Sequence, residues 1–141
     1  MKTYKGDINK LPPNGVFVFG SNTQGRHGKG SAKTAVDKFG AIYGQSKGLQ
    51  GKSYAITTKD LTKYKHPSIS KEYIEEQIKE LYNFAINNPQ LDFYIPYKGN
   101  GSNLNSYSSK EMAEMFNCES IPSNIVFEEE FYKLIVESFF F

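Results

Sequence analysis

One stretch of the chain concentrates the residue types that hold phosphate: Gly20-Ser-Asn-Thr-Gln-Gly-Arg-His-Gly-Lys-Gly-Ser31. Its glycines, Gly20, Gly25, Gly28 and Gly30, let main-chain N–H groups come close to an anion, and a helix starting just beyond would add the positive end of its dipole. A flexible surface loop explains the same glycines equally well. The segment is no Walker A motif, because Gly28-Lys29-Gly30 interrupts the Gly-Lys-Ser/Thr triplet, and the Gly-x-Gly-x-x-Gly spacing of dinucleotide folds is missing. Asn22 stands where the hydrophobic run ends, and its carboxamide can either serve a pair of sugar hydroxyls or form a turn. His27 has the right type for proton transfer near neutral pH but no carboxylate partner, so a solvated or structural role is the simpler reading. Arg26, Lys29 and Lys33 suit phosphate and solubility alike. Asp7, between Gly6 and Ile8, reads from its neighbours as a turn residue.

The elements that must position these groups follow from periodicity. Gly15-Val-Phe-Val-Phe-Gly20 is a short β-branched and aromatic run, expected to be a buried strand. Ala32, Ala35, Val36 and Phe39 fall at helical spacing, with Gly40 as the stop. Tyr54–Thr58 predicts a second strand, leaving Lys59 just past its end and a polar loop through His66-Pro67. Ser70 caps a long helix carrying Ile74, Ile78, Leu81 and Ala85 on one face. Phe93–Tyr97 predicts a third strand, followed by the loop Lys98–Ser106, rich in Gly, Asn and Ser. Ser108 and Glu111 have capping-box spacing. A fourth strand is expected at Asn124–Phe127, with a last helix opening at Glu128–Glu130. Strands alternating with helices predict a three-layer α/β/α sandwich around a sheet with parallel pairs. In such sheets ligands gather at the carboxyl ends of the strands, where both glycine-containing loops emerge.

Composition sets the outer bounds. At 141 residues, with 11 Phe and 10 Tyr, the chain is expected to fold as one domain over 1–141. A net charge of +2 does not demand a polyanionic partner. The one cysteine, Cys118, permits no internal disulfide, and neither His27 nor His66 has the neighbours of a metal site. No metal or cofactor is expected. With no apolar leader and no membrane-length run, the expected location is cytoplasmic. Phe139-Phe140-Phe141 is expected to pack against the domain or to join two copies of the chain.

In their order and spacing, Gly6-Asp7-Ile8, the strand ending in Ser21-Asn22, Gly28-Lys-Gly-Ser-Ala-Lys-Thr-Ala35 and Phe39-Gly40 resemble the macro domain family of ADP-ribose-binding modules. The resemblance continues through Gly51–Lys59, the helix through Leu81 and the Phe93–Tyr97 strand, covering residues 5 to about 117, and implies a mixed sheet. It implies that Asp7, next to Ile8, accepts a hydrogen bond from the adenine amino group. Ser21, Gly28, Lys29, Gly30 and Ser31 would border the pyrophosphate, Asn22 would face the distal ribose, and Gly99, Asn100, Gly101 and Ser102 would close from the opposite side. Tyr54–Lys59 is most similar to the branch that removes ADP-ribose from proteins with a lysine. There the amine attacks the anomeric carbon and forms a covalent intermediate, which makes Lys59, with Asn22, the catalytic candidate. The aspartate that follows the second loop in that branch is missing here, where the sequence reads Gly101-Ser-Asn-Leu-Asn105. Binding ADP-ribose or a related NAD-derived nucleotide, free or on a modified macromolecule, is the implied function. Hydrolysis of ADP-ribosyl linkages, non-catalytic reading or sequestration, and an RNA-binding or assembly role remain the alternatives.

Overall fold

The computed structural model describes residues 2–97 and 106–139. Ten elements follow one another along the chain: β1 (Thr3–Tyr4), β2 (Gly15–Asn22), α1 (Gly30–Phe39), β3 (Gly48–Gln50), β4 (Ser53–Lys59), α2 (Lys71–Ile86), β5 (Asp92–Ile95), α3 (Ser109–Phe116), β6 (Ile125–Glu128) and α4 (Glu129–Ser138). The strands form one sheet in the order β1-β6-β5-β2-β4-β3. All neighbours are parallel except β3 and β4, so the sheet is mixed.

Side-chain alternation along the strands sorts the helices onto two faces. Val16 and Val18 of β2, Tyr54 and Ile56 of β4, Phe93, Ile95, Ile125 and Phe127 bury themselves with α2, α3 and α4. Phe17, Phe19 and Ala55 point the other way, into Ala32, Ala35 and Phe39 of α1, with Ile8 and Leu11 of the N-terminal segment packed alongside. This is the expected three-layer α/β/α arrangement, with α1 the one helix on its face among the described residues. β2 lies between β5 and β4, and its residues Gly15–Phe19 are all buried, as a central parallel strand requires.

The helix boundaries obey their local chemistry. Gly40 takes φ 74° and returns its N–H to Ala35 O, closing α1. Ser70 accepts from Tyr73 N at the start of α2, and Ser108 with Glu111 forms the complete capping box of α3. Glu128 ends β6 and caps α4, its side chain accepting from Glu130 N and Phe131 N, so the last helix starts one residue later than its acidic run suggests. β1 and β3, of two and three residues, were not predicted. Phe139 is 66% exposed, so it is not packed against the domain. Phe140 and Phe141 lie outside the described residues. Among the described residues no helix is long and apolar enough to cross a membrane.

Candidate functional site

The parallel strands end along one edge of the sheet, and on α1's side of that edge lies a hollow of about 140 Å³. Gly6, Asp7, Ile8 and Asn9, which follow β1, form one wall; Ser31, Thr34 and Lys38 of α1 form another; Pro96 and Tyr97, just beyond β5, complete it, with Tyr4 and Phe17 also lining it. Ser31, Thr34 and Lys38, at i, i+3 and i+7, lie on one helical face and line the hollow with two hydroxyls and an ammonium. Ligand pockets usually measure roughly 300–1,000 Å³. Framed by the described residues, this one has room for part of a nucleotide.

The start of α1 lies beside this wall. Lys29 at the N-cap makes no side-chain cap and no acidic residue stands in the first turn. The first amides there have no intrahelical acceptor, and among the described residues no side-chain cap or first-turn carboxylate offsets the helix dipole. Gly30 opens the helix at φ 58°, a left-handed conformation that suits glycine. Gly28 and Lys29 are exposed beside it.

On the opposite wall Asp7 is exposed and Ile8 half-buried. Tyr4 donates its hydroxyl to Ile95 O at 2.6 Å. Burial first, then the Glu128 and Asp7 carboxylates, push that hydroxyl far above the ordinary phenol range, so it remains a protonated donor that ties β1 to the end of β5. Lys38 reaches Asn9 Oδ1 at 3.4 Å, linking the two walls. The structure thus brings Asp7, Ile8 and Ser31 into one hollow; Gly28, Lys29 and Gly30 do not line it. Gly99, Asn100, Gly101 and Ser102 lie outside the described residues.

Asn22 and Lys59 meet one strand away, paired in register at the ends of β2 and β4 after an irregularity between Ser21 and Asn22. The Asn22 carboxamide is already engaged: Nδ2 donates to Arg26 O at 2.8 Å, and Oδ1 accepts from Arg26 N at 2.9 Å and Gln24 N at 3.2 Å. It folds the glycine loop, with one amide hydrogen left over for a ligand. Ser21 is buried, its hydroxyl 3.4 Å from Asn22 O. Lys59 is the last residue of β4 rather than the first beyond it, is half-buried, and its ammonium has no hydrogen bond or ion pair among the described residues. Asp60 does not serve it. Its Oδ1 accepts from Thr62 N at 2.9 Å and Thr62 Oγ1 at 2.7 Å, and these bonds hold the carboxyl below its ordinary range.

His27 is only 3% exposed, which excludes the solvated reading. Its Nε2 lies 3.0 Å from Gln45 O, so it carries the proton, and the ring stands edge-on to Phe19. Gly25 is pressed onto the same neighbouring loop, with Gly44 N donating to Gly25 O at 2.8 Å. The glycine loop is therefore ordered by side chains and close backbone contact. Of the basic residues in this region, Lys33 pairs with Asp37 at 2.5 Å, on the exposed side of α1.

Gln77 is the residue that sequence reasoning missed. Buried on α2, it accepts from Thr57 N and donates to Thr57 O, each at 2.7 Å. β3 pairs with β4 only as far as Ala55, so Gln77 satisfies the strand edge that β3 leaves open, two residues before Lys59. A glutamine on the apolar face of a helical pattern was the available sign. No family model, curated protein or solved structure matches the chain.

Proposed function

We propose that the chain binds ADP-ribose or a closely related NAD-derived nucleotide in the manner of a macro domain. The observation that carries this reading is the hollow that unites Asp7 and Ile8 with Ser31 at the uncapped start of α1, on the carboxyl edge of a parallel sheet. Asp7 is the acceptor for a base amino group. The first-turn amides of α1 supply donors and dipole for a diphosphate, and Ser31 and Thr34 line the same hollow as Asp7.

Isothermal titration with ADP-ribose, comparing the parent with Ser31→Glu and Asp7→Ala, tests it. A carboxylate in the first turn is compatible with the helix dipole, so Ser31→Glu should fold normally while competing with the diphosphate for the same amides. The expected result is measurable binding by the parent and at least ten-fold weaker binding by both variants. Parent-like affinity in Ser31→Glu would remove the placement.

A second reading, cleavage of an ADP-ribosyl linkage, draws support from the Lys59 ammonium, which stands beside Asn22 without a partner among the described residues. Once deprotonated, its amine would attack the anomeric carbon while the carrier departs with the bonding electrons and takes up a proton, and water would then release ADP-ribose and restore the lysine. Lys59→Ala with retained ADP-ribose binding and lost turnover of an ADP-ribosylated protein would support it. An inactive parent would leave binding alone.

A further inference from the structure

We propose that the loop after β4, together with the adjoining Asn22–Arg26 turn, forms a binding surface for single-stranded nucleic acid, with Tyr64 as a stacking platform and Arg26, Lys59, Lys63 and Lys65 as phosphate contacts. The inference goes beyond the nucleotide reading and stands without it. Tyr64 is 102% exposed, the most exposed large hydrophobic side chain among the described residues, and it sits between Lys63 and Lys65. An aromatic ring left wholly in water gains nothing for the fold, but it presents a π-face to a base, and stacking of that kind tolerates any sequence.

The loop holds this ring on a fixed support. Asp60 N donates to Ser68 Oγ at 2.8 Å, and the same hydroxyl meets His66 Nδ1 at 2.7 Å, which ties the two ends of the loop together. The Asn22–Arg26 turn is stitched to it: Thr23 N donates to Lys59 O at 2.9 Å, Leu61 N to Thr23 Oγ1 at 3.3 Å, and Thr23 Oγ1 to Asp60 Oδ1 at 3.4 Å. Arg26 and Lys59 are thereby brought to the same edge as the Lys63-Tyr64-Lys65 run.

The charges point to the same ligand. Ion pairs engage Lys2, Lys5, Lys33, Lys47, Lys71 and Lys133 with carboxylates elsewhere. Arg26, Lys59, Lys63 and Lys65 have no ion pair among the described residues, as holds also for Lys10, Lys29, Lys38, Lys52, Lys79 and Lys110, and the Asp60 carboxylate beside them accepts from Thr62 and Thr23. Cations alternating with a bare ring match a strand that offers a phosphate and a base at every residue. An acidic peptide would use the charges and leave the ring idle.

Fluorescence anisotropy with a short labelled oligouridylate decides the matter. Binding at low salt is expected, with log K falling against log salt at a slope of about −2 to −3, as three or four phosphate contacts to a single strand predict. Tyr64→Ala should weaken binding about ten-fold while Tyr64→Phe keeps it, and Lys63→Glu with Lys65→Glu should abolish it. These positions are exposed, so circular dichroism and thermal melting of the variants should match the parent. No binding at low salt would overturn the proposal, as would parent-like affinity in Tyr64→Ala. Equal or tighter binding of a polyglutamate peptide or of phosphatidylserine vesicles would overturn it too.

Discussion

Replacing Gln77 tests how β4 is held in position beneath the candidate site. Its carboxamide makes two 2.7 Å bonds to the main chain of Thr57, and the residue is 2% exposed, so water cannot take its place. Gln77→Leu keeps much of the volume but strands one N–H and one C=O. At about 1–3 kcal/mol for each orphaned group, less some gain from the apolar side chain, a loss of about 2–4 kcal/mol is expected. With an unfolding entropy near 2.1 cal/mol/K per residue, this corresponds to a fall of about 7–13 °C in Tm.

Gln77→Glu sharpens the test through its sign. The introduced carboxylate, when ionised, could accept from Thr57 N but would point its second oxygen at Thr57 O; the protonated acid restores both bonds. Burial and that carbonyl therefore raise its folded-state pKa above the unfolded value. The folded variant then holds the extra proton more tightly, and its stability is greatest at low pH and falls as pH rises through the raised pKa. Thermal melts from pH 4.5 to 8, referenced to the parent, should show Gln77→Glu approaching the parent only at the acid end. A Tm for Gln77→Leu within about 2 °C of the parent, below any effect of an orphaned pair, would refute the reasoning, as would a pH-independent gap for Gln77→Glu.

The glycine loop gives a paired prediction. A Cβ on Gly25 would lie 2.3 Å from Gly44 C at φ +64°, whereas one on Gly28 would meet nothing within 4 Å. Gly25→Ala should therefore cost about 2–4 kcal/mol in urea unfolding, and Gly28→Ala less than about 0.5. At α3, Ser108→Ala should cost about 1 kcal/mol by the same assay, from loss of the cap to Glu111 N. Glu111 is held below the ordinary carboxylate range, first by Ser108 N and then by Lys71. Its contribution is present above the unfolded pKa near 4.3 and is lost as pH falls through the lower folded value, so the gap between Glu111→Gln and the parent should close in acid melts.

Much of the architecture was legible because the elements that carry it are locally self-consistent. The β2 run, the α1 stripe, the Ser70 cap and the Ser108–Glu111 box each specify their structure from neighbouring residues alone. β1 and β3 are too short to show a period, and they exist because β6 and β4 offer them an edge. Lys59 joins β4 for the same reason, since its partner is Asn22 across the sheet. The types of residue at the site were legible, but their engagement was not. That Asn22 bonds back to Arg26, that Asp60 turns to Thr62, and that His27 is enclosed by Phe19 and Gln45 are consequences of chain folding at |i−j| from 2 to 18. Gln77 was hidden in a helix pattern that also accommodates a surface glutamine.

For ADP-ribose to bind as proposed, main-chain donors at the start of α1 must face its diphosphate while Asp7 takes the base. Amide chemical-shift mapping during titration with ADP-ribose measures this directly. Saturable shifts concentrated at Asp7, Ile8 and Lys29–Ala32 are predicted, with α2 and α4 unmoved. No shifts, or shifts centred away from the start of α1, would contradict it.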